Sequence, residues 1–241
     1  MRRAAVLVGL AALAGCGGGE GGGDGVGSTG TDVGNPVVVD LEFAAYDLVL
    51  EEAAVDQATI EVERVRLRPA DDCEGGAEIE LEGPFQLDLL DPRGADQLAG
   101  LPLDARAWCR IEMTWHRDDA TDTAIRVAGS AGGDPFEIRS RRNDELRIES
   151  LDEDGFTVDQ ATSALFVAFD MTTWLDGVDL IGADREPDGA IAVSEDSNRD
   201  LLERFEENVE SATRLFPDGD GDGALGDDEH DDSDALGAGT R

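Results

Sequence analysis

The chain has 241 residues, and its 56 acidic residues outnumber its 19 basic residues, all arginine, so that the formal net charge is −37. This negative charge repels phosphate groups, which argues against binding to nucleic acid and against docking on anionic lipid headgroups. Hydrophobic residues make up 40% of the chain and recur in periodic segments, so the composition predicts a folded domain with tails rather than a disordered acidic protein.

Residues 1–15 have the pattern of a secretory signal peptide. Two arginines follow the initiating methionine, and the apolar stretch after them is too short to cross a bilayer as a helix. The sequence Leu-Ala-Gly-Cys at residues 13–16 resembles the bacterial lipobox, in which the cysteine becomes the lipidated first residue. The resemblance implies that Cys16 anchors the protein in the cell envelope. Since Gly17 follows it rather than aspartate, the resemblance also implies sorting to the outer membrane. An ordinary secretory signal with a chance cysteine is the alternative.

Residues 16–36 predict a flexible tether between this anchor and the rest of the chain. Ten of the twenty residues from 17 to 36 are glycine, and the segment has no apolar periodicity. A coil of this composition has a root-mean-square span of about 25 Å. The sequence therefore predicts a domain held close to a membrane surface, on the periplasmic face or at the cell surface.

Residues 37–176 alternate apolar and polar side chains, which is typical of half-buried β-strands. The alternation changes parity at Glu63 and Arg64, which predicts a β-bulge, and Gly83-Pro84 predicts a break in a strand. The unbroken apolar run over residues 164–169 predicts a central strand. Eight to ten short strands separated by turn residues predict a mainly β protein, an antiparallel β-sandwich of Greek-key type.

Two expectations concern individual strands. Phe136 and Ile138 are expected to pair with the apolar residues of the next strand across a turn at residues 141–144. Trp108 points away from the apolar face of its strand, so we expect a partly covered surface side chain, with stacking on a sugar ring as the alternative.

Cys73 and Cys109 are the two cysteines outside the signal region. Cys73 lies in a polar loop and Cys109 in a predicted strand. An exported compartment permits disulfides, and two thiols can pair, so a disulfide is expected, with two unpaired thiols as the alternative.

The pattern changes near the C-terminus. Residues 177–197 are typical of a loop, and residues 198–216 carry apolar side chains at helical spacing between glutamates and arginines. This periodicity predicts an amphipathic helix whose apolar stripe docks on the sandwich. The alternative is that the stripe binds a partner helix.

Residues 218–229 hold the one motif with specific chemistry. Oxygen-bearing side chains stand at positions 1, 3 and 5 of a twelve-residue loop, glycine at position 6, an aliphatic residue at position 8 and glutamate at position 12. Ca²⁺ takes six to eight oxygen ligands, and alternate residues of a tight loop can converge on one ion. The predicted ligands are Asp218, Asp220, Asp222, the backbone carbonyl of Ala224, and Glu229.

This loop resembles that of the EF-hand and of dockerin-type repeats. Residues 230–241 contain no exiting helix and are expected to form a disordered acidic tail, and no second loop is present. Calcium affinity is therefore expected at the weak, extracellular end of the range, about 10⁻⁴–10⁻³ M. A solvated acidic tail without calcium is the alternative, since nine residues between 218 and 234 are acidic.

Several stretches together resemble a family of bacterial lipoprotein domains, the DUF4382-like β-sandwiches. The resemblance covers residues 37–174 and implies a sandwich and a cell-envelope location, with no known catalytic residues. The stretches are Val-Glu-Arg-Val-Arg-Leu at 62–67, Leu-Asp-Leu-Leu-Asp at 87–91, Leu-Pro-Leu at 101–103, Arg-Ile-Glu at 110–112 and Phe-Val-Ala-Phe-Asp at 166–170.

These features predict a lipid-anchored binding or structural protein rather than an enzyme, with calcium as its cofactor and a polysaccharide or an envelope protein as a possible partner. The alternative is an extracytoplasmic hydrolase that uses paired carboxylates on polysaccharide. The carboxylates available for that chemistry lie at residues 118–119, 152–154 and 184–188, where acidic turns are the commoner explanation.

Overall fold

The computed structural model describes residues 36–75, 79–91, 98–118, 121–226 and 229–240. The predicted signal peptide, Cys16 and the predicted tether up to residue 35 lie outside the described residues.

The described strands, in chain order, are β1 (Pro36–Tyr46), β2 (Ala53–Pro69), β3 (Ile79–Asp88), β4 (Leu101–Asp104), β5 (Ala107–Trp115), β6 (Ile125–Ala131), β7 (Asp134–Ser140), β8 (Glu145–Ser150), β9 (Phe156–Thr157), β10 (Ala164–Asp170), β11 (Ile191–Val193), β12 (Thr213–Pro217) and β13 (Gly237–Thr240). The described helices are α1 (Met171–Trp174) and α2 (Arg199–Ala212). The predicted mainly β fold class is confirmed.

One curled sheet contains all of these strands. Its hydrogen-bonded order is β11–β7–β6–β2–β5–β8–β13–β12–β10–β1–β4, with β3 added on β2 and β9 on β5. Most neighbours are antiparallel, as predicted, but β1 pairs with β10 and β7 with β11 in parallel. The parallel pairs join strands that are far apart along the chain, so local periodicity cannot reveal them.

β2 organises one half of the sheet because it pairs with three other strands, β3, β5 and β6. The register shifts between Val62 and Arg64 in both the β3 and the β5 pairing. This extra residue lets Val62 and Val65 both point into the core, where each is fully buried. The predicted bulge is confirmed.

The predicted break at Gly83-Pro84 is wrong, because β3 runs continuously through it opposite the bulge. A Cβ atom on Gly83 would lie 2.6 Å from the backbone oxygen of Val62. The glycine therefore marks a close approach between two backbones rather than the end of a strand.

The curl brings β1 next to the end of β3. Ala45 donates its backbone N–H to the carbonyl of Leu89 at 2.8 Å, and Leu89 donates its own to Ala58 at 2.8 Å. Leu89 is almost fully buried and belongs to the main apolar core, which takes side chains from both halves of the sheet. The sheet thus packs against itself around this main core.

The expected pairing of β7 with β8 is wrong: β7 pairs with β6 and β11, and β8 with β5 and β13. The connection between these two strands contains Arg142, whose side chain is largely buried. Its guanidinium donates to the backbone oxygen of Glu206 at 2.7 Å and pairs with Asp144 and Glu210 at 2.6 and 2.9 Å. Through these contacts the connection between β7 and β8 packs on α2.

The amphipathic helix docks on the sheet, as predicted, through its buried residues Leu202, Phe205 and Val209. The ring of Phe205 stacks on Trp174 at 4.9 Å, and Trp174 stacks on Phe169 of β10 at 5.0 Å. The helix begins one residue later than predicted and ends at Ala212, four residues earlier, because Thr213 is already extended and starts β12.

The apolar residues just after α2 have the spacing of a helix, but they belong to a strand, β12. Leu215 and Phe216 lie opposite Val167 and Phe166 of β10 and are fully buried. The predicted loop of residues 177–197 also contains a strand, β11, which extends the sheet beyond β7.

The predicted surface position of Trp108 is wrong, since the side chain is 1% exposed. The register of β2 against β5 shifts between Arg68 and Pro69, so that Pro69 lies opposite Trp108. This irregularity changes the parity of the strand end and turns the indole into the core.

Candidate metal centre

The predicted calcium loop follows a strand rather than a helix. β12 ends at Pro217, the loop occupies residues 218–229, and the chain returns as β13. β12 and β13 pair antiparallel through Arg214 with Ala238 and Leu215 with Gly237. The loop therefore belongs to the connection of a β-hairpin, and the prediction of a disordered C-terminal tail is wrong for Gly237–Thr240.

The first three predicted ligands converge at the start of the loop. One carboxylate oxygen from each of Asp218, Asp220 and Asp222 lies within 4.8 Å of the other two. Asp218 is buried, whereas Asp220 and Asp222 are exposed. The cluster thus has one side fixed against the protein and one side open to solvent.

Asp218 is held by contacts with β10 and the turn before it. Its backbone N–H donates to Ala164 at 3.1 Å, and its carboxylate accepts from Ser163 Oγ at 3.0 Å and from Gly221 N–H at 2.8 Å. Because Ala164 begins a buried strand, the first position of the loop is attached to the rigid part of the sheet.

The aspartates also shape the loop that carries them. Asp220 accepts from the N–H of Asp222 at 3.0 Å, and Asp222 accepts from that of Ala224 at 2.8 Å. Gly223, at position 6, has φ +73°, the left-handed conformation that the motif requires there. The tight turn predicted at this glycine is confirmed.

Glu229 folds back over the start of the loop. Its Oε1 accepts from the backbone N–H groups of Gly219 and Asp220 at 2.7 and 3.2 Å, and its Oε2 accepts from that of Gly226 at 2.9 Å. The structure therefore places Glu229 against the backbone at the start of the loop, but its carboxylate is not part of the cluster formed by the three aspartates.

An aromatic and aliphatic cluster supports the loop from the side of the sheet. Tyr46 of β1 packs its ring on His230 at 4.6 Å and edge-on against Phe216 at 6.2 Å, and Leu225 of the loop packs into the same cluster. The Nδ1 atom of His230 lies 2.9 Å from the carbonyl oxygen of Gly226. Position 8 of the motif is thus aliphatic because it anchors the loop to the sheet.

The sequence could not indicate that Tyr46 lies beside the loop, because this residue is far upstream, in β1. Burial raises the pKa of its hydroxyl far above the usual value, and the negative charge of Asp170 adds to the shift. Tyr46 therefore remains protonated and acts beside the loop as a packing group.

The other acidic stretches considered for catalysis cap their own turns. Asp118 accepts the N–H of Thr121 at 2.7 Å, Asp152 that of Asp154 at 2.9 Å, and Asp188 that of Ala190 at 3.1 Å. Asp119 lies outside the described residues. These are the short-range hydrogen bonds that favour aspartate in turns.

The expected disulfide between Cys73 and Cys109 is present. It joins the turn after β2 to β5, and Arg110 next to it forms an ion pair with Glu74 at 3.3 Å. The bond therefore lies in the half of the sheet organised by β2.

Compared with models of protein families, with curated proteins and with solved structures, the chain matches none. Within the described part of the chain, no helix has the length and apolar character needed to cross a bilayer.

Proposed function

We propose that this protein is a lipid-anchored component of the cell envelope that binds one calcium ion and has a binding or structural role rather than a catalytic one. The ion would bind in the loop between β12 and β13. Its ligands would be the side chains of Asp218, Asp220, Asp222 and Glu229 and the backbone carbonyl of Ala224. The observation that carries the proposal is the convergence of the three aspartate carboxylates.

The spacing of these oxygens suits calcium. Ca²⁺ binds oxygen at about 2.3–2.6 Å, so two oxygens on one ion can be at most about 4.6–5.2 Å apart. The separations within the aspartate cluster, up to 4.8 Å, fall inside that limit. The geometry is therefore compatible with a calcium ion held by the three carboxylates.

The charge of the segment supports the same conclusion. Nine acidic residues lie between residues 218 and 234, and three of them face one another in the aspartate cluster. Like charges held at this separation repel one another, and a divalent cation removes that repulsion while supplying the ligand bonds. Calcium in an extracytoplasmic compartment would thus stabilise a connection that is otherwise unfavourable.

Calorimetric titration tests the calcium site directly. We expect the wild-type protein to bind one Ca²⁺ with a dissociation constant of about 10⁻⁴–10⁻³ M. Asp220→Asn and Glu229→Gln should each weaken binding by about tenfold or more, because each replaces a charged carboxylate ligand with a neutral amide of nearly the same shape. Glu153→Gln, an exposed acidic residue in another turn, is the matched control and should bind like the wild type. Equal binding by Glu229→Gln and the wild type would refute the site.

Membrane fractionation tests the proposed anchor. The variant Cys16→Ser should move from the membrane fraction to the soluble fraction, because the thiol that would carry the lipid is absent. If Cys16→Ser stays with the membrane, the lipoprotein assignment is wrong, whatever the result of the calcium titration.

A further inference from the structure

The last strand of the chain lies in the middle of the sheet. β13 pairs with β8 through Gly237–Thr240 and with β12 through Gly237 and Ala238. If β13 left this position, β8 and β12 would each lose a neighbour, and a gap one strand wide would open between them. Both walls of that gap would then present backbone donors and acceptors that need a partner.

β13 is attached mainly by its backbone. Its sequence is Gly-Ala-Gly-Thr, so it contributes no large apolar side chain to the core. Leu236 just before it extends the pairing, donating its N–H to Leu215 at 2.7 Å and accepting from Leu151 at 2.9 Å. A strand held by few backbone hydrogen bonds and little apolar burial is expected to open more easily than its neighbours.

The connection that holds β13 in place is the proposed calcium loop and the segment after it. Residues 218–236 join β12 to β13 and carry nine carboxylates, with Arg214 of β12 paired to Asp232 at 3.2 Å. Closing this connection places Glu229 against the backbone of Gly219 and Asp220, beside the three clustered aspartates, and a fourth negative charge there costs free energy unless a cation is bound. A cation that binds the closed loop more tightly than the open one must stabilise the docked strand by the same amount.

The gap accepts only a particular kind of strand. A Cβ atom on Gly239 would lie 2.3 Å from the backbone oxygen of Glu210 in the last turn of α2, and one on Gly237 would lie 2.9 Å from that of Glu149 in β8. An occupant must therefore carry glycine at two alternate positions. The C-terminal strand of another copy of this chain has that pattern.

We propose that the gap between β8 and β12 is a strand-binding groove under calcium control. With calcium bound to residues 218–229, β13 of the same chain occupies the groove. Without calcium β13 is released, and the groove takes β13 of a second copy. This inference rests on the proposed calcium site and adds to it a partner and a mode of regulation.

Hydrogen exchange and light scattering on the full chain carrying Cys16→Ser test the groove. With saturating calcium we expect a monomer whose β13 amides are protected. With a chelator, dilute protein should remain monomeric and lose that protection, and concentrated protein should dimerise and regain it. If the β13 amides exchange equally slowly with calcium and with chelator in dilute protein, the proposal is refuted.

Gly239→Ala provides a variant that blocks the groove to a strand from either source. It should fail to dimerise in chelator and should weaken calcium binding by about fivefold or more, because coupling between two sites is reciprocal. Gly75→Ala is the matched control, since its added Cβ meets no atom closer than 3.9 Å, and it should behave like the parent chain. Dimerisation of Gly239→Ala equal to that of the control would overturn the assignment of the groove.

A labelled Leu-Gly-Ala-Gly-Thr peptide tests the groove without a change in the protein. The peptide should bind in chelator and be excluded by calcium, and a version with alanine at both glycine positions should not bind. If both peptides bind alike, the groove does not select a glycine-patterned strand. Calcium titration separates the two proposals. If the protein does not bind calcium, the proposed function fails. If it binds calcium normally but hydrogen exchange of β13 and the oligomeric state do not change, only the groove is refuted.

Discussion

β10 and β13 lie on either side of the same strand, β12, and they are held in the sheet in opposite ways. β10 has six buried residues out of seven, and its Phe169 joins the stacked rings of Trp174 and Phe205. β13 has one buried residue, a glycine, and depends on backbone pairing and on the acidic connection before it. β10 is thus stabilised by apolar packing. β13 is held by backbone hydrogen bonds, and its docking depends on the charge of the acidic connection before it.

This difference shows where the fold is permanent and where it can respond to its surroundings. Burial of large apolar side chains is insensitive to ions, whereas the repulsion among carboxylates in residues 218–236 changes directly when a cation binds. A strand with glycine at the positions of closest approach can leave the sheet without leaving a large cavity in the core. The molecule therefore combines a body stabilised by apolar packing with a C-terminal element on which the proposed calcium ion would act.

The largest effect is expected from a cavity in the stable body. Phe169→Ala should lower the free energy of unfolding by about 3–5 kcal/mol, because the ring is fully buried and stacks on Trp174 of α1. Thr240→Ala in β13 should change it by less than about 0.5 kcal/mol. Urea denaturation measures both, with exposed Val38→Ala as the control for losing a side chain outside the core. A loss from Phe169→Ala no larger than that from Thr240→Ala would contradict the comparison.

The disulfide should matter nearly as much, but only for the stable body. Cys73 and Cys109 are 36 residues apart, so replacing both by serine should cost about 3–4 kcal/mol by the chain-entropy relation. Thermal unfolding of the double variant, and of the wild type with reductant, should give matching losses. The calcium dissociation constant should not change, and a weakened constant would show that the two regions are not independent.

Calcium is expected to have an intermediate effect that belongs to the C-terminal region. At about 10 mM, calcium exceeds the expected dissociation constant by 10- to 100-fold, which corresponds to about 1.4–2.7 kcal/mol of stabilisation. The midpoint of thermal unfolding should rise by about 3–10 °C. The same concentration of magnesium and the variant Asp220→Asn are the controls. An equal rise with magnesium would indicate general charge screening instead of a specific site.

The features that the sequence predicted well are those decided by neighbouring residues. The bulge at Glu63 follows from a parity change within β2, and the central position of β10 follows from its unbroken apolar run. The positive φ of Gly223 follows from the spacing of the calcium motif. In each of these places, the residues that decide the structure are close together along the chain.

The features that the sequence could not predict depend on distant contacts. Leu215 and Phe216 fit a helix by spacing, but pairing with β10 places them in a strand. The pairing of β7 with β8 looked favourable locally, but β7 pairs with β6 and β11, and β8 pairs with β5 and β13. β13 has no strand pattern at all, because its position depends on the backbones of β8 and β12. The same is true of Tyr46, which contacts the segment of the proposed calcium loop from the first strand.

The smallest effect should come from a carboxyl that lies between the two regions, on α2. Burial raises the pKa of Glu206, and the hydrogen bond from Ser140 and the charge of Arg142 only partly offset that shift. Because the folded-state pKa lies above the unfolded value, ionised Glu206 destabilises the fold at neutral pH, and this cost is lost as the pH falls through the folded pKa.

Glu206→Gln should therefore raise the free energy of unfolding at pH 7 by less than about 1 kcal/mol. That gain should disappear near pH 4, and exposed Glu207→Gln is the control for removing a charge from the same helix. A gain from Glu206→Gln that persists unchanged at pH 4 would mean that better packing of the amide, rather than loss of the buried charge, stabilises the helix.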